Sequence, residues 1–94
     1  MRVDLTPSAR ADLKEIALYI ARDSPAAAKA WVRRLRVRAR AIGDAPHAGR
    51  VVPELDDPAI REVFLGAYRI VYRVHERRVE VLTIFEGHRR LSRI

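Results

Sequence analysis

Ninety-four residues, 49% apolar and 33% charged, suffice for one domain with one core and exclude a multi-domain enzyme. The absence of cysteine excludes disulfides and thiolate metal sites and agrees with a reducing compartment. Nineteen Lys and Arg against twelve Asp and Glu leave +7 on 10.8 kDa, so an anionic partner is expected.

The opening Met1-Arg2-Val3-Asp4-Leu5 turns acidic and reaches Pro7, unlike the basic-then-apolar start of a secretory signal. No apolar run approaches the ~20 residues that span a bilayer, so a soluble, cytoplasmic protein without a membrane partner is expected. Val3 and Leu5 alternate with charged residues, which predicts a short first strand. Thr6 then offers a cap, and Pro7 fits the first helical position, where its missing N–H costs nothing. Ala9, Leu13, Ile16, Ala17 and Ile20 follow at three- and four-residue steps, the apolar stripe of a first helix of about four turns. Asp23-Ser24-Pro25 repeats the cap-then-proline signal for a second helix, with Ala28, Trp31, Leu35, Ala39 and Ile42 on its apolar stripe and an end near Gly43. So short a link predicts an antiparallel helix hairpin.

Residues 43 to 59 hold Gly43, Pro46, Gly49, Pro53 and Pro58 and read as an ordered, turn-rich loop. Three strand-like runs follow: Ile60 to Leu65, Tyr68 to His75 and Val79 to Glu86. Gly66-Ala67 suits a type II′ turn between the first two. On the middle run Tyr68, Ile70, Tyr72 and Val74 share one face and Arg69, Val71, Arg73 and His75 the other. The predicted fold is α+β, β-α-α-β-β-β, a helix hairpin on a mostly antiparallel four-stranded sheet, in a single domain covering residues 1–94.

The charge is unevenly placed. Residues 1–23 balance to zero, 24–43 carry +6 with no acid, 44–68 carry −3, and the remainder carries +4. On the second helix Lys29, Arg33, Arg36 and Arg40 form one stripe roughly opposite the Trp31 face. The stripe is either a solvated face or a docking surface for an acidic polypeptide or a phosphate backbone, and no aromatics are interleaved there for base stacking. Trp31, Tyr68 and Tyr72 read as packing residues, with the tyrosine hydroxyls at the rim. His47 reads as a loop residue, and His75 and His88 have no ligand spacing, so neither a metal nor any other cofactor is expected. Arg61, Arg69, Arg73 and the run His88-Arg89-Arg90 are read as converging on one edge of the sheet, a pattern suited to phosphate. Arginine holds its proton, so RNA cleavage there needs a base, for which Glu62, Glu86, His75 and His88 are the candidates.

Several segments together resemble the ParE/RelE toxin superfamily: Leu5-Thr6-Pro7-Ser8-Ala9-Arg10-Ala11-Asp12-Leu13, Asp23-Ser24-Pro25, Pro46-His47-Ala48-Gly49-Arg50, Arg61-Glu62, Gly66-Ala67-Tyr68-Arg69-Ile70-Val71-Tyr72-Arg73-Val74 and Gly87-His88-Arg89-Arg90. The resemblance implies the toxin of a type II toxin–antitoxin module, neutralised by a ParD-like antitoxin whose acidic C-terminal segment meets Lys29, Arg33, Arg36, Arg40 and Arg73. It offers two activities. A ParE-like member poisons DNA gyrase by contact, with Arg89, Arg90 and Arg93 facing the target and no catalytic residue. A RelE-like member cleaves mRNA in the ribosome, and its site maps onto Arg61, Arg69, His88 and Arg89. Here the preceding strand has no lysine and the C-terminus no tyrosine, so the usual proton-transfer groups are missing and the ParE-like reading leads.

Overall fold

Both helices start as their caps dictate. In the computed structural model, which describes residues 1–87, Thr6 Oγ1 accepts from the Ala9 amide at 3.1 Å and Pro7 opens α1 (Pro7–Ala21). Ser24 Oγ accepts from the Ala27 amide at 3.1 Å ahead of α2 (Pro25–Ala41). Each hydroxyl satisfies an amide without an intrahelical acceptor, worth about 0.5–2 kcal/mol. α1 and α2 pack on each other as a hairpin, and a 3₁₀ turn (Ile42–Asp44) closes the second helix.

The strands β1 (Arg2–Leu5), β2 (Arg50–Val51), β3 (Ile60–Leu65), β4 (Tyr68–Val74) and β5 (Arg78–Glu86) form one sheet in the order β1-β5-β4-β3-β2. β1 runs parallel to β5, and all other neighbours are antiparallel. The sheet thus has five strands where the sequence pattern predicts four. The addition, β2, lies inside the turn-rich stretch, where two residues are too few to show a period; pairing with Arg61 and Glu62 makes them a strand. Gly66 has φ 56 and Ala67 a negative φ, the φ combination of a type II′ turn, and Leu65 pairs with Tyr68 across it. β5 carries a bulge: Val71 opposes Thr83 and Tyr72 opposes Val81, leaving Leu82 unopposed. Val79, Val81 and Ile84 therefore all face the helices, while Leu82 and Phe85 face away.

The main core lies between the hairpin and the sheet. Ala9, Leu13, Leu35, Ala39 and Ile42 meet Val63, Ile70, Tyr72, Val79, Val81 and Ile84, all buried. A smaller cluster of Val52, Ile60 and Val71 sits on the sheet's other face, packed by Leu55, Leu82 and Phe85. Trp31 is half-buried at the rim, edge-on to Tyr68 at 5.5 Å with the Arg34 guanidinium 4.4 Å from its ring centroid. Tyr72 departs from its expected rim position. It is fully buried, and its hydroxyl donates to the Pro46 carbonyl at 2.7 Å.

That hydroxyl leaves no room at Gly49, where a Cβ would strike it and the Glu62 carbonyl. Gly49→Ala is expected to lower stability by about 1–3 kcal/mol through overpacking, measured by chemical denaturation; unchanged stability would contradict this close approach.

Candidate functional site

The cross-strand register builds an ionic cluster on the sheet face away from the helices. Phe64, Arg69 and Phe85 lie side by side across β3, β4 and β5, and Arg50 opposes Glu62 one row further along. Arg69 is therefore diagonal to Glu62, within reach of a long side chain. Its Nε donates to Glu62 Oε1 at 2.8 Å and its Nη2 to the same oxygen. The other edge of the guanidinium is bidentate on Glu54, both contacts at 3.1 Å, and the Arg50 Nε completes the set on Glu62 Oε2. Arg69 is 4% exposed and Glu62 1%. Burial works against the charge on Arg69, but the hydrogen bonds and charges of Glu54 and Glu62 outweigh it and hold its pKa above the ordinary arginine value.

This arrangement decides what Arg69 can do. Both edges of its guanidinium are committed to carboxylates, so a phosphate would have to displace Glu54 or Glu62 to reach it. Glu62, a candidate base in the sequence, is itself spent on two arginines. His75 contacts Glu80 at 3.0 Å at the far end of β4. Burial also raises the Tyr72 hydroxyl pKa, against the opposing influence of the Gly49 amide, Arg61 and Arg38, and it raises that of Tyr68 with help from Glu86 and Tyr19. Both phenols stay protonated through neutral pH.

The expected convergence of arginines does not form among the described residues. Arg61 pairs across the sheet with Tyr72 on the helix side, and its guanidinium ties down the 46–58 loop through the carbonyls of Pro58, His47 and Gly49 at 2.9–3.2 Å. Arg69 is on the opposite face. Arg73 shares that far face and pairs with Asp57 at 3.6 Å, so it is separated from the helix stripe with which it was grouped. His88, Arg89, Arg90 and Arg93 lie outside the described residues. Glu54 was not singled out from the sequence. The only signal was an acid, Glu62, at an inward position between Ile60 and Phe64, which calls for a buried cation.

The second feature is on the hairpin. An open groove of about 680 Å³ runs between α1 and α2, floored by Ala17, Leu18, Ala21, Ala28, Val32 and Val37 and edged by Lys29, Arg33, Arg36 and Arg40. Leu18 and Val37 are 62% and 60% exposed, and all four cations are exposed. Contiguous apolar surface with a single-signed rim is the form of a docking site. No group of His, Cys, Asp or Glu among the described residues could hold a metal, and no described helix is long and apolar enough to cross a membrane.

The model of the ParE toxin of the type II toxin–antitoxin system parDE matches residues 3–91. The chain belongs to the ParE toxin family. Its fold is shared with a chain of the chromosomal ParDE toxin–antitoxin system of P. aeruginosa, at TM-score 0.76 and 22% identity over 92% of this chain and 95% of that one. A chain of the RelBE2 toxin–antitoxin complex of Mycobacterium tuberculosis matches at TM-score 0.57 and 20% identity, over 90% and 95%. No curated protein matches significantly. This ParE toxin thus has its strand arginines split between the two sheet faces, Arg61 on one and Arg69 and Arg73 on the other.

The cluster generates a stability prediction. Arg69→Ala leaves Glu62 buried beside a single exposed arginine and is expected to cost about 3–5 kcal/mol in urea denaturation, with Glu62→Gln in the same chain recovering part of it. A cost under about 1 kcal/mol would contradict a structural role, since that is the range of exposed pairs.

Proposed function

We propose that this ParE toxin acts by protein–protein contact, inhibiting DNA gyrase in the cytoplasm, and that a ParD-like antitoxin neutralises it. The single observation that carries the reading is the state of Arg69: the arginine that a phosphate-handling site would use is buried between two carboxylates. Contact inhibition needs no base, acid or metal, and no cofactor is invoked.

The antitoxin is assigned to the hairpin groove. An amphipathic segment with an acidic face would cover Leu18 and Val37 with apolar side chains and bring carboxylates to Lys29, Arg33, Arg36 and Arg40. These cations have no acid on their own helix, so an acidic partner relieves their mutual repulsion as well as adding its own attraction. Arg33→Glu with Arg36→Glu is expected to weaken antitoxin binding by at least about tenfold at low salt, less at high salt, in a calorimetric titration. Unchanged affinity would remove the groove from the interface.

Activity is tested in a gyrase supercoiling reaction. The purified toxin is expected to block supercoiling or trap a cleavage complex; unaltered supercoiling at high toxin excess, with codon-positioned cuts in translated mRNA, would favour a RelE-like endonuclease instead.

A further inference from the structure

Among the described residues, the highly exposed large apolar side chains are Met1 at the N-terminus, Leu18, Tyr19 and Val37 on the helices, and Phe64 on the far face of the sheet. Phe64 is 45% exposed in the middle of a paired strand, where a β-branched or polar residue would serve a solvated face as well. Its ring has two neighbours. The Arg50 guanidinium lies 5.6 Å from the ring centroid, fixed at Nε by Glu62, and the Gly87 backbone sits against the ring and the Arg69 stem so closely that a Cβ there would crowd both. Arg50 nevertheless keeps its side chain 61% exposed. Aromatic residues and arginine are enriched at the cores of protein interfaces relative to the rest of the surface, and an aromatic ring with few rotatable bonds loses little freedom on binding.

We infer that Phe64 and Arg50 form the centre of the surface with which the toxin contacts its protein target, the complement being an apolar pocket or side chain ringed by carboxylates. The inference rests on the contact-inhibitor reading and names the surface that reading leaves unspecified. Charge supports the choice of partner. Arg69 and Arg50 together balance Glu54 and Glu62, and of these four side chains only that of Arg50 is largely exposed, so its open end is the charge a partner meets. The chain also leaves the described fold at Gly87, beside Phe64, and the sequence beyond it holds Arg89, Arg90 and Arg93 with no acid. A single strand of nucleic acid is the poorer fit. It would want successive open rings, whereas the Phe85 ring has the Arg69 guanidinium 5.1 Å from its centroid and two carboxylates lie close by. The surface is also separate from the hairpin groove, since the sheet lies between them.

Phe64→Ser, Phe64→Tyr and Arg50→Gln toxins, first checked for wild-type melting and antitoxin affinity, would be titrated into gyrase supercoiling reactions beside the wild type. We expect the serine variant to need at least tenfold more toxin for half-inhibition, the Arg50 variant several-fold more, and the tyrosine variant to retain activity. If the wild type inhibits and the serine variant inhibits equally well, the surface assignment is overturned while the gyrase reading stands. A wild type that does not inhibit gyrase overturns both. Binding of a single-stranded RNA oligonucleotide by the wild type, lost in the serine variant, would overturn the assignment in favour of a nucleic-acid platform.

Discussion

A buried guanidinium must have its charge balanced close by, and the far face of this sheet is organised around that requirement. Arg69 stands at the centre of a three-strand row, and among the described residues it is met by Glu62, one row along on the neighbouring strand, and Glu54, on the loop that follows β2. Arg50 in turn opposes Glu62 through the pairing of β2 with β3. The two-residue strand β2 is thus part of the electrostatic solution. It places the fourth charge of a set that sums to zero and holds the 52–59 loop over the smaller apolar cluster of Val52, Ile60 and Val71.

Neutralising the cluster from within has a functional consequence. A toxin fold that handles RNA needs an arginine free to meet phosphate, and a carboxylate clamp removes that freedom without removing the arginine. Two open surfaces among the described residues have the chemistry used in protein recognition: an apolar groove with four cations on the hairpin, and an exposed Phe–Arg pair on the opposite face. The sheet separates the two, so they lie on opposite faces of the molecule.

Local signals made much of this fold readable from the chain. Thr6-Pro7 and Ser24-Pro25 dictate where helices begin, the Leu13 and Leu35 stripes dictate which faces are buried, and Gly66 marks a turn that only a left-handed first residue can make. The alternation on β4 places Tyr72 toward the helices and Arg69 away from them, as the structure has it. The cluster was not readable, because it depends on register. Whether Arg61 or Glu62 points toward Arg69 is decided by a shift of one residue in the β3–β4 pairing, and Glu54 is brought near by a loop with no period at all. The same parity separates Arg61 from Arg69 and puts Arg73 on the face away from the helix stripe. The bulge at Leu82, which lets three residues of β5 share one core, likewise has no marker in the sequence.

Arg69 is a clamped structural ion, and the most direct test of that observes its guanidinium. In nitrogen-15 NMR spectra of the intact toxin, the Arg69 Nε–H signal is expected to exchange slowly with solvent and to stay in place when inorganic phosphate or a short RNA is added. A signal that exchanges as fast as those of the exposed Arg33 and Arg36, or that shifts on addition of phosphate, would show Arg69 to be open to an anion and contradict the clamp.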